Sequence, residues 1–172
     1  MPRCGSSKPV PAMSEFSVLF VCMGNICRSP TAHGVFRHRV AHSALAPRVH
    51  VASAGTHSYH VGRPPDERSQ EHAAQRGYDL SDLRARQLGL PDFERHDLIL
   101  VMDHDNLERV MALCPAPHQH KVRRFTEFCR RHVAEVVPDP YYGGAQGFEQ
   151  VLDLVEDACD GLLLHVLLNP AI

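Results

Sequence analysis

Cys22 and Arg28 flank the five residues "MGNIC" in the stretch "VLFVCMGNICRSPTAHGVF", where an apolar run gives way to a helical pattern. Backbone N–H groups between a strand end and a helix start have no intrahelical partners, and the helix dipole adds partial positive charge there. Such a junction favours a bound anion. Gly24 permits tight curvature, and Asn25 tolerates left-handed backbone and can hydrogen-bond across the loop. Arg28 can fold back and hold two oxygens of a phosphate through its planar fork. The same field favours the nucleophilic thiolate of Cys22. An anion cradle with a thiolate at its floor suits attack on phosphorus. Taken singly, Cys22 reads as a small buried strand residue and Arg28 as a solvated first-turn side chain. The whole string, with apolar residues before it and Pro30 near the helix start, is far more specific. Ser29 reads equally as an N-cap and as a hydroxyl placed to stabilise the sulfur, and the two roles can coexist.

Regular elements must position that loop. Strand-like runs cover 17–21, 48–53, 97–102 and, less clearly, 121–125. Helical patterns cover 29–44, 66–76 with Gly77 as the stop, and 103–113 ended by Cys114 and Pro115. In the last helix Phe148, Val151, Leu152, Val155, Cys159, Leu162, Leu163 and Val166 share one face. Glu149, Asp153, Glu156, Asp157 and Asp160 are assigned to solvent. This alternation implies a parallel sheet covered on both faces, with ligand sites at the carboxyl ends of its strands. Residues 1–13 carry no periodicity and read as a flexible extension, with Met13 an alternative start, leaving 14–172 as one domain.

Composition narrows the function classes. The 172 residues carry 18 Lys+Arg against 20 Asp+Glu, spread rather than massed, so neither nucleic acid nor an anionic membrane is indicated. No apolar run spans a bilayer and no signal-peptide core precedes the domain; the reading is cytoplasmic. Six cysteines without paired close spacing read as thiols, not zinc ligands or structural bridges, and no metal or cofactor is indicated. Thirteen histidines make His33, His57 and His60 read as scattered surface residues.

The loop string, "SAGTHSYHVGRPPDERS", "LILVMDHDNL" and "VPDPYYGGAQGFEQV" together resemble the low-molecular-weight protein tyrosine phosphatases over residues 17–165. The resemblance implies a four-stranded parallel sheet of order 2-1-3-4 and metal-independent hydrolysis of phosphotyrosine. By it, Cys22 attacks phosphorus, while Met23, Gly24, Asn25, Ile26, Cys27 and Arg28 form the phosphate loop. Asp139 protonates the leaving phenolate and then activates water, and Tyr59, Tyr141 and Tyr142 wall the substrate ring. Without the resemblance, Asp139 would be a turn residue before Pro140 and the tyrosines surface aromatics. Phosphate or vanadate should inhibit. In a bacterial host the substrate would include an autophosphorylated tyrosine kinase. Cys27 is either filler or a thiol that traps oxidised Cys22 as a disulfide, and the resemblance points to the second.

The family commonly supports its loop asparagine with a histidine in "S-x-H-x-A-R", but "SDLRAR" puts Leu83 there. The departure implies a less rigid loop, with Ser53 left as the expected partner of Asn25. Two rival activities share the fold. A thioredoxin-linked arsenate reductase needs further cysteines, and none lies between Cys27 and Cys114. A protein arginine phosphatase commonly has threonine where this chain has apolar Ile26. A phosphopeptide-binding module without catalysis does not require Cys22, Arg28, Ser29 and Asp139 together.

Overall fold

Four parallel strands in the order β2-β1-β3-β4 form the centre of the chain in a computed structural model that describes residues 15–169. The expected extension at 1–13 lies outside the described residues. The strands are β1 (Phe16–Cys22), β2 (Val49–Gly55), β3 (Leu98–Val101) and β4 (Val122–Arg124), and the helices are α1 (Arg28–Ala41), α2 (Glu67–Gln75), α3 (Pro91–Arg95), α4 (His104–Leu113) and α5 (Ala145–Leu168). The expected sheet and order are present.

β1 is buried on both faces, which is why its sequence is an unbroken apolar run rather than an alternating one. Phe16, Val18 and Phe20 face a cluster with α1 and α5, whereas Leu19 and Val21 face Phe93 of α3 and Val110 of α4. Phe20 sits between Phe36 and Phe125 in edge-to-face contacts with ring centroids 5.9 and 5.0 Å away. Because β1 connects toward β2 while β3 connects toward β4, the chain diverges beyond their carboxyl ends. A crevice opens at that switch point.

Local chemistry sets the helix ends. Asp66 caps α2 by accepting from the amides of Arg68 and Ser69, and Asp103 caps α4 by accepting from Asn106 N–H. Gly77 ends α2 at φ 90°, where its N–H bonds Ala74 C=O and the Tyr78 N–H reaches back to Ala73 C=O. α1 stops at Ala41, three residues short of the expected end, since Ser43 Oγ takes the Val40 carbonyl at 2.8 Å and starts a turn. The expectation for α5 holds on its apolar face and fails at Asp157, which is fully buried. It accepts the amides of Arg130 (2.9 Å), Arg131 (3.0 Å) and His132 (2.7 Å) and lies 2.8 Å from His132 Nδ1. Those bonds outweigh burial and hold its carboxyl well below the usual range. α5 thus carries a second buried stripe against the turn at Phe125–Phe128. There a Cβ on Gly161 would come within 1.8 Å of Phe128 O.

Candidate active site

β1 delivers Cys22 to the crevice, and residues 23–27 curl before α1 begins at Arg28. The loop is tied down at several points. The Thr56 and His57 amides bond the carbonyls of Cys22 and Met23 at 2.9 and 3.0 Å, and the Asp66 amide bonds the Ile26 carbonyl at 2.8 Å. Asn25 adopts left-handed backbone, φ 57°, as its residue type allows.

At the floor, Cys22 Sγ lies 3.0 Å from Ser29 Oγ and accepts the Ser29 amide at 3.4 Å. Ser29 is fully buried and also accepts Asn25 Nδ2 at 2.7 Å. Hydrogen bonds of this kind are worth more to a thiolate than to a thiol. The N-cap position of α1 is Cys27, without a side-chain cap, so Ser29 is no N-cap and its hydroxyl serves the sulfur instead.

Arg28 is 2 % exposed. Its Nη1 donates to Asp103 Oδ2 at 2.6 Å and to the Val137 carbonyl at 3.1 Å, and its Nη2 lies 3.7 Å from Asp139 Oδ2. Burial opposes the charge, but the sulfur of Cys22 and the carboxylates of Asp103 and Asp139 more than offset it and raise its pKa. Asp139 accepts the Tyr141 amide through Oδ1 at 3.0 Å and is partly open to solvent.

These groups line one pocket of about 290 Å³ with Met23, Gly24, Ile26, Cys27, Tyr59, His60, Tyr141 and Tyr142. A thiol, a guanidinium and a carboxyl converge there between aromatic side chains, a set able to hold an aryl phosphate, attack it and exchange a proton with it. Tyr142 contributes only at the outer rim, being 95 % exposed. Of the expected phosphate-loop residues, Asn25 does not face the pocket; it is buried behind the loop. Among the described residues, no group of three or more His, Cys, Asp or Glu is placed to hold a metal ion.

Two expectations about loop support change. Ser53 does not reach Asn25: its Oγ pairs with His33 Nδ1 at 2.9 Å. Asn25 Oδ1 instead accepts the Arg86 amide at 3.0 Å, a backbone donor that a side-chain pattern does not reveal. Leu83 is buried in the apolar cluster with α1, so an unfilled polar position does not result. His33 is no surface histidine either. Burial, with Arg37 and Arg86 nearby, holds its pKa down to about 4. His57 stacks on Tyr59 at 5.0 Å and His60 lies against Gly24 in the pocket.

Asp103 and Arg68 are the site neighbours that sequence reasoning missed. Asp103 follows β3 at a sheet carboxyl end, which is the signal that could have found it. Arg68 sits over the rings of Tyr141 and Phe148 at 5.5 and 4.7 Å and donates to Tyr141 O at 3.0 Å, so it fixes an aromatic wall from outside the pocket.

A crevice at the switch point of a parallel sheet, with a cysteine and an arginine at either end of one loop, places a candidate anion site on an α/β fold. A family profile described as low molecular weight phosphotyrosine protein phosphatase matches residues 17–169. A putative low molecular weight protein-tyrosine-phosphatase of Synechocystis is 47 % identical over 85 % of this chain and 93 % of its own length. The low molecular weight phosphotyrosine protein phosphatase of Schizosaccharomyces pombe is 43 % identical over 78 % of this chain and 86 % of its own. A crystal structure of a protein tyrosine phosphatase from Entamoeba histolytica superimposes with a TM-score of 0.88 at 38 % identity, covering 90 % of this chain and 99 % of that one. The chain therefore belongs to the low molecular weight phosphotyrosine protein phosphatase family, and its activity class is that of a protein tyrosine phosphatase.

Proposed function

We propose that the protein hydrolyses protein phosphotyrosine through a phosphocysteine at Cys22. Cys22 Sγ attacks phosphorus as a thiolate, the bond from phosphorus to the tyrosyl oxygen breaks, and Asp139 gives its proton to the departing phenolate. Asp139 then takes a proton from water as that oxygen attacks the phosphocysteine. The sulfur–phosphorus bond breaks, inorganic phosphate leaves, and the thiolate returns. Arg28 and the loop amides hold the phosphoryl oxygens while charge develops on them, and the Ser29 hydroxyl stabilises the leaving sulfur. Asp103 orients Arg28.

The observation that carries this reading is the convergence of Cys22 Sγ, Ser29 Oγ, Arg28 and Asp139 in one pocket, with the sulfur hydrogen-bonded at its floor. Ile26, Tyr59 and Tyr141 in the lining favour an aromatic ring over a guanidinium, which supports phosphotyrosine above phosphoarginine. A related Vibrio vulnificus protein has been solved with benzylphosphonate, an aryl analogue of the same shape, with a TM-score of 0.76 at 28 % identity over 88 % of this chain and 98 % of that one. Phosphate and vanadate compete for the cradle. If the host is bacterial, an autophosphorylated tyrosine kinase is the natural substrate. No helix among the described residues is long and apolar enough to cross a membrane, and the cysteine usage fits a reducing cytoplasm.

The test is Cys22→Ser, which removes the thiolate and preserves the cradle. Turnover of an aryl phosphate should vanish while vanadate or phosphate still binds; readily measured turnover would refute the mechanism.

A further inference from the structure

Asn25 is held in left-handed backbone by two bonds, to Ser29 Oγ and from the Arg86 amide, and a non-glycine residue stays in that region only where its surroundings fix it. Ser29 in turn touches Cys22 Sγ. The placement of the Arg86 peptide is therefore transmitted to the sulfur through two side chains.

The residue that fixes this peptide is Arg86 itself. Its Nη1 and Nη2 donate to Asp92 Oδ2 and Oδ1 at 3.0 and 2.9 Å, a two-pronged pairing that sets orientation as well as distance. The Asp92 side chain is 7 % exposed, accepts the Gly89 amide at 2.8 Å and has His96 Nε2 3.3 Å away. Burial opposes its charge, and the bonds from His96, Arg86 and Gly89 more than compensate, holding its carboxyl well below the usual range. The 86–88 segment also pairs with Gly55, whose N–H bonds the Arg86 carbonyl and whose carbonyl accepts the Leu88 amide, each at 2.8 Å. On its other side Gly55 lies directly under the phosphate loop. A Cβ there would fall 2.7 Å from Met23 O and 3.1 Å from Asn25 N. Gly55 thus bridges the loop and the segment that Asp92 anchors.

We propose that the Arg86–Asp92 pair is the brace of the phosphate loop: both are positioning residues that act through the Arg86 amide, Asn25 and Ser29 on Cys22. The brace does in this chain what a polar side chain at position 83 cannot do, since Leu83 has no hydrogen-bonding group. The inference rests on the reading of Cys22 as the nucleophile.

Asp92→Asn keeps the shape and an acceptor for Gly89 but loses the charged two-pronged pairing, and Arg86→Lys keeps the charge but loses the fork; both retain the Arg86 amide. For each, kcat and KM on an aryl phosphate are measured beside the rate of Cys22 alkylation by iodoacetate and the melting curve. Asp157→Asn serves as a comparison that loses stability at a carboxylate outside the pocket. The expected result is a fall in kcat/KM of about tenfold, mostly in kcat, with a similar fall in alkylation rate at mildly acidic pH that closes at alkaline pH. Asp157→Asn should change neither kinetic readout. If Asp92→Asn fails to fold, Arg86→Lys carries the same comparison. Both variants melting earlier with wild-type kcat and alkylation profiles would make the pair merely structural and overturn the inference alone. A wild type whose Cys22 shows no selective, phosphate-protected alkylation would overturn the nucleophile reading and the inference with it.

Discussion

Asp139 carries two opposite proton transfers in the proposed cycle, and it lines the same pocket as Cys22 while staying partly open to solvent. Only substrates with poor leaving groups need a proton in the first step. Asp139→Asn should therefore slow alkyl-substituted phenyl phosphates by a hundredfold or so while changing an activated nitrophenyl phosphate much less. A leaving-group series decides it, and equal losses across the series would remove Asp139 from the acid role. Cys27 is the other cysteine of the loop. Burial pushes its thiol up to about 12, so it rests as a thiol rather than competing as a nucleophile, and the role proposed for it is to trap an oxidised Cys22. Mild peroxide should inactivate the protein reversibly with a Cys22–Cys27 bond found by peptide mapping, and Cys27→Ser should keep initial activity but lose most thiol-dependent recovery. Full recovery of that variant would leave Cys27 as packing. The residues most readily read from sequence were those whose spacing is local: Cys22, Arg28 and Ser29 lie within one loop and one helical turn. Asp103 was hidden because an aspartate before a helix is already explained as an N-cap, and it does both jobs, with Oδ1 on the Asn106 amide and Oδ2 on Arg28.

At the level of elements, α1 is joined to β2 by the partly buried His33–Ser53 pair as well as by apolar packing. The unfolded imidazole takes a proton near pH 6.5, whereas in the fold it does so only at about 4, so acid favours unfolding between those values. Stability from this group is fully present above about 6.5 and is lost as pH falls toward about 4; the difference is at most roughly 3 kcal/mol. Melting temperatures across that range should fall in the wild type and stay flatter in His33→Gln. Parallel curves would show that His33 does not titrate with folding. α5 makes the opposite case for what a sequence reveals. Its apolar face was legible from periodicity, but the stripe of Leu154, Asp157, Ala158 and Gly161 was not, because small and charged residues do not announce burial. Asp157→Ala removes the buried carboxylate to which three loop amides donate and should cost about 2 kcal/mol, read as a shift in denaturant midpoint. α3 escaped notice for a simpler reason: five residues starting at Pro91 are too short to show a period.

Across the whole molecule, sheet order explains why residues more than a hundred positions apart share one pocket. The β1 loop brings Cys22 and Arg28, the end of β3 brings Asp103, and the segment before α5 brings Asp139 and Tyr141, all at the carboxyl side of the sheet. Strand composition and the alternation of elements made that architecture legible. The contacts that close the site across it, Arg28 to Asp103 and Asn25 to Arg86, were not, because they depend on how distant segments meet rather than on local pattern. In the proposed function, the Cys22 sulfur at the floor of an aromatic-lined pocket suits a long planar phosphorylated side chain. Phosphotyrosine peptides should therefore exceed phosphoserine and phosphoarginine peptides in kcat/KM by about a hundredfold or more, and comparable values for phosphoserine would contradict that depth.

The most direct test of the account is chemical trapping of its intermediate. Turnover of a phosphotyrosine peptide is quenched within milliseconds and the protein mapped by mass spectrometry. A phosphocysteine mechanism requires a phosphoryl group on Cys22, absent in Cys22→Ser and changed in steady-state amount by Asp139→Asn. A wild-type protein that turns over peptide while its phosphoryl group is found on another residue, or on none under conditions that preserve phosphocysteine, would contradict it.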